Sequence, residues 1–555
     1  MKTAELNLTW SYSIVETLVK SDITNFYVSP GLRNTPIIKA IINNPKAKHF
    51  TGIDERAQSY RAIGSIKAEN NPAVLVCTSG TALANYYPAV IEAFQDNLPL
   101  IILSADRPIE LVWSQANQAI DQKNIFQNFV SKNINLETPS INQNIQSIIN
   151  HIFYSVEKTK NLQLPLHINI PFKEPLTITD FKFDFDKVTP TLSQFSTKHM
   201  IELDQNIINL IKKSSKYIIS IGQLSNKDYL NISKLLELTC FKYLDITSNL
   251  KFKKNCNDYI IPSFDHIEIN DYFNENIPTL IIHFGGNITS KKFNQFVKNN
   301  DIPVININSK HTSNNLASSQ SYFLDIPSRQ WEEHFIPILP NTNYYKNFQE
   351  DMFAKINIIN DSPLSIPWIS KHLVENLETS SILYIGNSTA IRSFDLYSSI
   401  QENKNHQIYF NRGVSGIEGF IASAVGVSES NPDKEVYLIL GDISFLHDLN
   451  SLSLLRELKQ NSCVKIIILN NYSGGIFSLL PINQDKDVLD IISTKHKFNF
   501  KGTASDFNIK YTLVDSLSTF NEIFNKQGDF ENTIYEVIID ENTNQEVYSK
   551  LRSIK

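Results

Sequence analysis

A chain of 555 residues exceeds what one hydrophobic core organises and predicts about three domains of roughly 150–200 residues each. With 42% hydrophobic and 19% charged residues it reads as globular, and a net charge of -6 excludes a nucleic-acid partner held by bulk charge. Four cysteines (Cys77, Cys240, Cys256, Cys463) without CxxC or other metal spacing exclude a disulfide frame and read as small buried hydrophobes in a reducing compartment.

The opening MKTAELNLTW carries Glu5 where a secretory signal needs an apolar run, and no stretch of about 18 apolar residues follows. A cytoplasmic enzyme with no membrane span is expected. Strand FYVSPG comes first, then a helix, then helix DERAQSYRAIGSIKAE with Asp54 as its N-cap. Strand AVLVCTSG, helix ALANYYPAVIEAFQ and strand LPLIILSADRP continue the alternation to about residue 185, where ITDFKFDFDKVTPT reads as a connecting segment. The middle third has strands KYIISIG and PTLIIHFGG, and ends in PSRQWEEHFIPILPNTNYY, rich in proline and poor in periodicity. The last third repeats the alternation in SILYIGNS, HQIYFNRG, EVYLILGD, VKIIILNN and TIYEVIID. Apolar runs alternating with helices predict an α/β fold of three doubly wound parallel-sheet domains, at 1–185, 190–345 and 355–555. No sequence repeat is visible. In such sheets ligands gather at the carboxyl ends of strands, where SPG, TSG, SADR, GNS, NRG, GD and NN all lie.

Glycine is scarce, 17 residues in all, and seven of these lie between Gly413 and Gly475, so the backbone there is expected to need them. Arginine is scarcer still, nine against forty-two lysines. Arg33, Arg107, Arg392 and Arg412 sit beside turns containing Gly, Ser or Pro. A planar fork that grips carboxylates or phosphates is not replaced by lysine without loss. Single arginines often serve structural ion pairs; four at strand ends point to anionic ligands.

EVYLILGD, the helix-like SFLHDLNSLSLLREL and VKIIILNN form one β-α-β unit. Its strand ends would lie side by side and bring Asp442 near Asn471. A carboxylate, an amide oxygen and a backbone carbonyl make a hard oxygen set of the kind Mg²⁺ accepts alongside phosphate oxygens. The helix start at Ile443–Ser444 offers N–H groups to the same phosphates. A plain β-α-β unit with a Gly-Asp turn would carry no chemistry. Here 27 residues separate Asp442 from Asn470, and that spacing resembles the cofactor motif of thiamine diphosphate enzymes. Thiamine chemistry also needs a carboxylate against the aminopyrimidine ring, expected at the end of a buried strand. HFTGIDER offers Glu55, which taken alone would be explained as a helix-start charge.

Further pieces carry a closer likeness: SPGLRNTP (29–36), DERAQSYRAIG (54–64), VCTSGTALANYYPAVIEA (76–93), ADRPIEL (105–111) and ANQAIDQ (116–122). GNSTAIR (386–392), NRGVSGIEG (411–419), GDISFLHDLN (441–450) and NNYSGGIFSLLP (470–481) follow in order, with a weaker match at GGNITSKK (285–292). With these the chain resembles the 2-succinyl-5-enolpyruvyl-6-hydroxy-3-cyclohexene-1-carboxylate synthase family, thiamine diphosphate enzymes of menaquinone biosynthesis. The resemblance implies pyrimidine-binding, central and diphosphate-binding domains in that order, and active sites between two chains of a homodimer or homotetramer. It implies a transferase that decarboxylates 2-oxoglutarate and adds the resulting carbanion to isochorismate. Glu55 is then the pyrimidine-activating acid. Asp442, Asn471 and the Ser473 carbonyl hold Mg²⁺ or Mn²⁺. Glu55, Gln118, Ser388, Ser415, Ile417, Asp442, Ile443, Ser444 and Asn471 contact the cofactor. Arg33, Arg107, Asn117, Gln118, Lys291, Lys292, Ser388, Arg392 and Arg412 line the substrate site, with Ile476, Phe477 and Leu480 as an apolar wall. Three positions depart from the family pattern: Leu32 stands where Ser is usual, Lys292 where Arg is usual and Ser473 where Gly is usual. His447 and Asp448 match the pattern and are expected on a helix surface. The competing readings are another thiamine-dependent 2-oxoacid decarboxylase or carboligase and a non-catalytic cofactor-binding relative. A nicotinamide dehydrogenase is disfavoured because no GxGxxG follows a strand.

Overall fold

The structure is a computed structural model that describes residues 2–191, 202–225, 228–250, 259–309, 316, 318–342, 344, 346, 348–378, 380–398, 406–525 and 529–553. Cys256 lies outside the described residues, and Cys77, Cys240 and Cys463 are buried free thiols. Among the described residues no helix is long and apolar enough to cross a membrane.

The described strands form three six-stranded parallel sheets. In the first the spatial order is Lys48–Thr51, Asn25–Val28, Ala73–Cys77, Leu100–Asp106, Leu166–Pro171, Lys132–Asn135. In the second it is Ser321–Asp325, Val304–Asn308, Leu280–Phe284, Tyr217–Ile221, Phe241–Leu244, Ile260–Ile261. In the third it is Gln407–Tyr409, Ile382–Ile385, Glu435–Gly441, Cys463–Asn470, Thr533–Ile538, Lys510–Val514. Strands Ala73–Cys77, Leu100–Asp106, Leu280–Phe284 and Cys463–Asn470 are buried along their whole length, as apolar runs covered on both faces must be. The first and third sheets share one connectivity: the first-formed strand lies between the second and the third, and the last two strands exchange places. That topological repeat has no counterpart in the residue sequence. In each of these two sheets the order reverses beside the first-formed strand. The crevice at such a reversal is where doubly wound sheets bind ligands. In the first sheet it opens at Ser29–Gly31 and Thr78–Gly80; in the third it opens at Gly386–Ser388 and Gly441–Asp442.

By internal contacts the chain forms two compact units. One comprises Met1–His199, Ile421–Ser430 and Asn450–Glu457; the other comprises Met200–Phe420, Asn431–Leu449 and Leu458–Lys555. In the first unit the segment Ile421–Ser430 lies against helix Glu55–Glu69 at two glycines. A Cβ on Gly64 would lie far inside contact with the Ser423 carbonyl oxygen, and one on Gly426 would meet the Arg61 carbonyl oxygen in the same way. Ser423 Oγ donates to the Tyr60 carbonyl at 3.0 Å. Arg61 is fully buried and forks onto Glu429, with Nε donating to Oε2 at 3.0 Å and Nη2 donating to Oε1.

Several local expectations change. ALANYYPAVIEAFQ is two helices, Thr81–Ala84 and Tyr87–Gln95, because Pro88 cannot continue the first and starts the second. SFLHDLNSLSLLREL is a short helix, Asp442–His447, then a 3₁₀ run, Leu449–Glu457. The connecting segment before residue 190 is no idle linker. Its alternate residues Phe181, Phe183 and Phe185 ring Tyr12 at centroid distances of 5.2, 5.2 and 5.8 Å and close the first core.

Two histidines are buried inside sheets. His167 meets Ser104 Oγ at 2.8 Å, and burial pushes it down to about 3. His283 meets Ser220 Oγ at 3.2 Å and is pushed down to about 4, again by burial. Both stay neutral in the folded chain at pH values where the unfolded chain, near 6.5, binds protons. The unfolded state therefore takes up more protons between these values, and stability falls as pH falls from about 6.5 towards 4. The melting temperature is expected to drop steadily over that interval, and less steeply in His167→Gln. A melting temperature independent of pH there would contradict this.

Candidate active site

The carboxyl ends of Glu435–Gly441 and Cys463–Asn470 lie side by side, with Gly441 paired to Leu469. That register places Asp442 beside the Asn470–Asn471 turn. Asp442 is buried; its Oδ1 accepts from the Ile443 N–H at 2.8 Å, and its Oδ2 accepts from the Ser473 N–H at 3.2 Å. His496 Nε2 lies 3.2 Å from the same oxygen. Burial raises the Asp442 carboxyl to about 6, and the hydrogen bonds and His496 pull the other way without cancelling it.

Tyr472 takes the left-handed conformation, φ 59, and its N–H donates to Asn470 Oδ1 at 3.0 Å. This bend returns the chain so that Ser473 meets Asp442. Ser473 itself is not left-handed, so a serine sits there without backbone strain; its carbonyl accepts from the Gly475 N–H at 2.9 Å. Asn470 is anchored below by Glu536 Oε1 at 2.7 Å. Glu536 is fully buried and also accepts from the Phe500 N–H at 3.0 Å and the Tyr511 hydroxyl at 2.8 Å. The amide nitrogen of Asn471 donates to Glu541 Oε2 at 2.6 Å and Ser473 Oγ at 3.2 Å, which leaves Oδ1 for a cation. Among the described residues no cluster of three or more His, Cys, Asp or Glu could hold a metal. A divalent ion at this edge would take the Asp442 carboxylate, the Asn471 amide oxygen and the Ser473 carbonyl. That mixed oxygen set fits Mg²⁺ or Mn²⁺ completed by phosphate and water.

The neighbouring strand Ile382–Ile385 ends in Gly386–Asn387–Ser388. Ser388 has φ 67, and its carbonyl accepts from Arg392 Nη1 at 2.6 Å. Asn387 Nδ2 donates to the carbonyls of Asn411 and Gly416, both at 2.8 Å, and its Oδ1 accepts from Arg412 at 3.2 Å. One amide therefore ties the Ser388 turn to the Arg412 loop. Burial lowers the Arg392 guanidinium first, and the Arg412 charge lowers it further. Two guanidiniums are thus held within electrostatic reach of each other. Lys292 Nζ donates to the Asp265 carbonyl at 3.0 Å, and the Asp265 carboxylate acts on Arg392. Lys292 therefore reaches the same neighbourhood, and it is exposed, as is Lys291, at the start of helix Lys291–Asn299. Ser415 is exposed in a left-handed turn, with Ile417 exposed two residues on. Ile476 and Phe477 are half-buried on the 3₁₀ turn Gly475–Leu479, with Leu480 exposed beyond it. Ser444 is buried, and the Ile443 N–H is already engaged by Asp442. His447 is exposed as expected, but Asp448 is fully buried, because the helix ends at His447 and the chain turns inward.

In the first unit Asp54 caps helix Glu55–Glu69, accepting from the N–H groups of Arg56 and Ala57 at 2.8 and 3.2 Å. Glu55 opens that helix half-buried, and its Oε2 accepts from Asn85 Nδ2 at 3.0 Å. The strand before it, Lys48–Thr51, is not buried as expected. It is the edge of the sheet, with one neighbour only, and mostly exposed. Arg33 is buried and donates to the Phe172 carbonyl at 3.0 Å and Glu174 Oε1 at 2.8 Å. Arg107 donates to Ser79 Oγ and, at 2.8 Å, to the Gln118 carbonyl. Burial first, and then the charge of Arg33, hold Arg107 below its ordinary value, with the Asp106 and Glu174 carboxylates pulling the other way. Gly80, at φ +86, lets the Gln118 backbone approach; a Cβ there would lie 3.1 Å from the Gln118 carbonyl oxygen. Asn117 and Gln118 are exposed beside it, and Leu32 is 73% exposed.

Glu536, Glu541 and His496 are absent from the sequence-based expectations. Glu541 was within reach of them, because it follows the apolar run TIYEVIID at a strand's carboxyl end. His496 carries no local signal.

Two family models match the chain. The thiamine pyrophosphate enzyme N-terminal TPP binding domain covers residues 8–125, and the C-terminal TPP binding domain covers residues 391–534. Curated relatives carry the name 2-succinyl-5-enolpyruvyl-6-hydroxy-3-cyclohexene-1-carboxylate synthase. That of Chlorobium limicola is 33% identical, over 100% of this chain and 98% of the relative. That of Chlorobium phaeobacteroides is 32% identical over 94% and 92%, and that of Syntrophus aciditrophicus 32% identical over 99% of both. The cofactor is thiamine diphosphate, and the oxygen donors at Asp442, Asn471 and Ser473 fit the divalent metal such enzymes use. The chain belongs to the 2-succinyl-5-enolpyruvyl-6-hydroxy-3-cyclohexene-1-carboxylate synthase family of thiamine diphosphate enzymes.

Proposed function

We propose that the protein decarboxylates 2-oxoglutarate and adds the remaining four-carbon acyl unit to isochorismate, giving 2-succinyl-5-enolpyruvyl-6-hydroxy-3-cyclohexene-1-carboxylate and CO2 in menaquinone biosynthesis. The observation that carries this reading is the gathering of guanidiniums near the carboxyl ends of the first and third sheets: Arg392 lies within electrostatic reach of Arg412, with Asp265 opposing, and Arg107 within reach of Arg33, with Asp106 and Glu174 opposing. Guanidiniums so placed can receive bound carboxylates through charge-assisted hydrogen bonds. Two dicarboxylate substrates supply the matching charge.

Thiamine diphosphate, when bound, supplies the electron sink for loss of CO2. Asp442, Asn471 and the Ser473 carbonyl would hold the metal against its diphosphate. The turns at Ser388, Ser415 and Ile417, together with Gln118, would cradle the rest. With the Ile443 N–H engaged, the phosphate contact at that helix start falls to Ser444. Glu55 would share a proton with the aminopyrimidine. Asn117, Lys291 and Lys292 add polar and cationic reach to the arginines, and Ile476, Phe477 and Leu480 would keep water from the reacting carbon. We assign residues 1–185 to pyrimidine binding, 190–345 to the central domain and 355–555 to diphosphate binding. A homodimer or homotetramer, with sites completed between chains, would cover Ile53 and Trp113, which are 72% and 81% exposed, and Ile491, which is 78% exposed. The buried free thiols suit a cytoplasmic setting.

Purified protein with thiamine diphosphate and Mg²⁺ is expected to release CO2 from 2-oxoglutarate, and faster with isochorismate. Turnover of pyruvate without turnover of 2-oxoglutarate would overturn the assignment.

A further inference from the structure

The last-formed strand of the third sheet, Thr533–Ile538, runs beside the strand that carries the metal-side turn. Asn470 pairs with Ile538, and the Ile539 N–H donates to the Asn470 carbonyl at 2.9 Å. Helix Glu541–Ser553 begins directly after, so Glu541 sits at the same sheet edge as Asn471. An acidic residue in a helix's first turn is favoured by the helix dipole, but that preference leaves the side chain free to face water. Glu541 instead reaches back into the site. Its Oε2 accepts from Asn471 Nδ2 at 2.6 Å. Its Oε1 accepts from Gln545 Nε2 at 2.9 Å and lies 2.6 Å from Ser478 Oγ, whose single proton is shared between this oxygen and the Gly475 carbonyl, also at 2.6 Å. Gly475 makes the room: a Cβ there would overlap Asn471 Nδ2 and stand 3.0 Å from Glu541 Oε2.

The two ends of an asparagine amide have nearly the same shape, and only the oxygen can bind a cation. An ionised carboxylate accepts hydrogen bonds and donates none. Facing Glu541, the Asn471 amide has one favourable orientation, nitrogen towards the carboxylate and oxygen away from it. We infer that Glu541 is a positioning residue that holds the Asn471 amide oxygen-first for the divalent cation and, through Ser478, ties the Gly475–Leu479 turn to the same carboxylate. The inference rests on the reading of Asn471 as a metal ligand. It also explains why the Ser473 turn keeps Gly475 two residues on: any larger residue would press into the Asn471–Glu541 contact.

The test is Mg²⁺ binding in the presence of thiamine diphosphate, followed by calorimetry, in four variants of the full chain. Glu541→Gln offers Asn471 both a donor and an acceptor, so the amide loses its preference. Mg²⁺ affinity is expected to fall about 10–100-fold, as for other groups that orient a ligand, while kcat at saturating Mg²⁺ changes little. Asn471→Asp sets two carboxylates face to face and is also expected to weaken binding. In that background Glu541→Gln removes the repulsion and gives the aspartate a donor, so it should strengthen binding. The same substitution thus acts in opposite directions in the two backgrounds, which a merely structural role would not produce. Equal losses in both backgrounds, or no change in either, would overturn the role given to Glu541. Asn471→Ala separates the two claims. If it binds Mg²⁺ like the parent, the metal-ligand reading fails; if it loses Mg²⁺ while Glu541→Gln does not, the inference about Glu541 alone fails. Thermal melting of the cofactor-free variants checks folding. Should Glu541→Gln not fold, Gly475→Ala crowds the same contact without altering the helix and is expected to weaken Mg²⁺ binding; unchanged affinity would overturn the inference.

Discussion

Replacing Glu55 by Gln is expected to lower kcat about 10²–10⁴-fold, the usual contribution of a positioned proton-transfer group, and to change thiamine diphosphate affinity by less than about tenfold, since shape and a hydrogen bond survive. The carboxylate is well placed for such a role. Asp54 fixes the start of its helix, Asn85 holds one of its oxygens, and the side chain remains half-buried rather than sealed. Gln keeps an acceptor for Asn85 but holds no exchangeable proton at its oxygen. Cofactor titration and steady-state rates on the same preparation separate the two effects. Full activity in Glu55→Gln would remove Glu55 from the chemistry. Equal losses in binding and rate would make it a structural residue.

Gly426→Val is expected to destabilise the first unit by at least about 3 kcal/mol, above the usual range for overpacking because the neighbour is backbone and a buried ion pair moves with it. The added Cβ would meet the Arg61 carbonyl oxygen, and that oxygen cannot step aside without shifting helix Glu55–Glu69. Arg61 and Glu429 would separate in a place where neither reaches water freely. Ser423→Ala removes one hydrogen bond at the same crossing, to the Tyr60 carbonyl, and should cost only about 1 kcal/mol. Melting temperatures of the two variants compare the effects directly. Similar small shifts in both would show that the crossing tolerates expansion. Because Glu55 opens the same helix, Gly426→Val is also expected to lose activity in whatever fraction remains folded.

Much of the third sheet was legible in the sequence because buried parallel strands are written as uninterrupted apolar runs. GD and NN follow two such runs, and the register of Gly441 with Leu469 brings them together as their order requires. The arginine turns were legible for a compositional reason: with so few arginines in the chain, four beside strand ends stand out. Other features were hidden by distance in sequence. Glu541 lies 70 residues from Asn471, and His496 lies 54 from Asp442 in a stretch without periodicity. The shared connectivity of the first and third sheets left no residue pattern, since any apolar side chain of suitable size serves an inner strand. Local helix breaks at Pro88 and after His447 were obscured by apolar spacing that continues across them. Asp448 was placed on a surface because helical periodicity was extended past the residue where the helix stops. The edge position of Lys48–Thr51 depends on which strand pairs with Asn25–Val28, and four residues cannot specify that.

The most direct test supplies 2-oxoglutarate and isochorismate together, with thiamine diphosphate and Mg²⁺, and identifies the product by mass. One product joining both substrates with the loss of one CO2 is expected, and its formation should vanish in Glu55→Gln. Loss of CO2 from 2-oxoglutarate with isochorismate recovered unchanged would contradict the proposed carboligation.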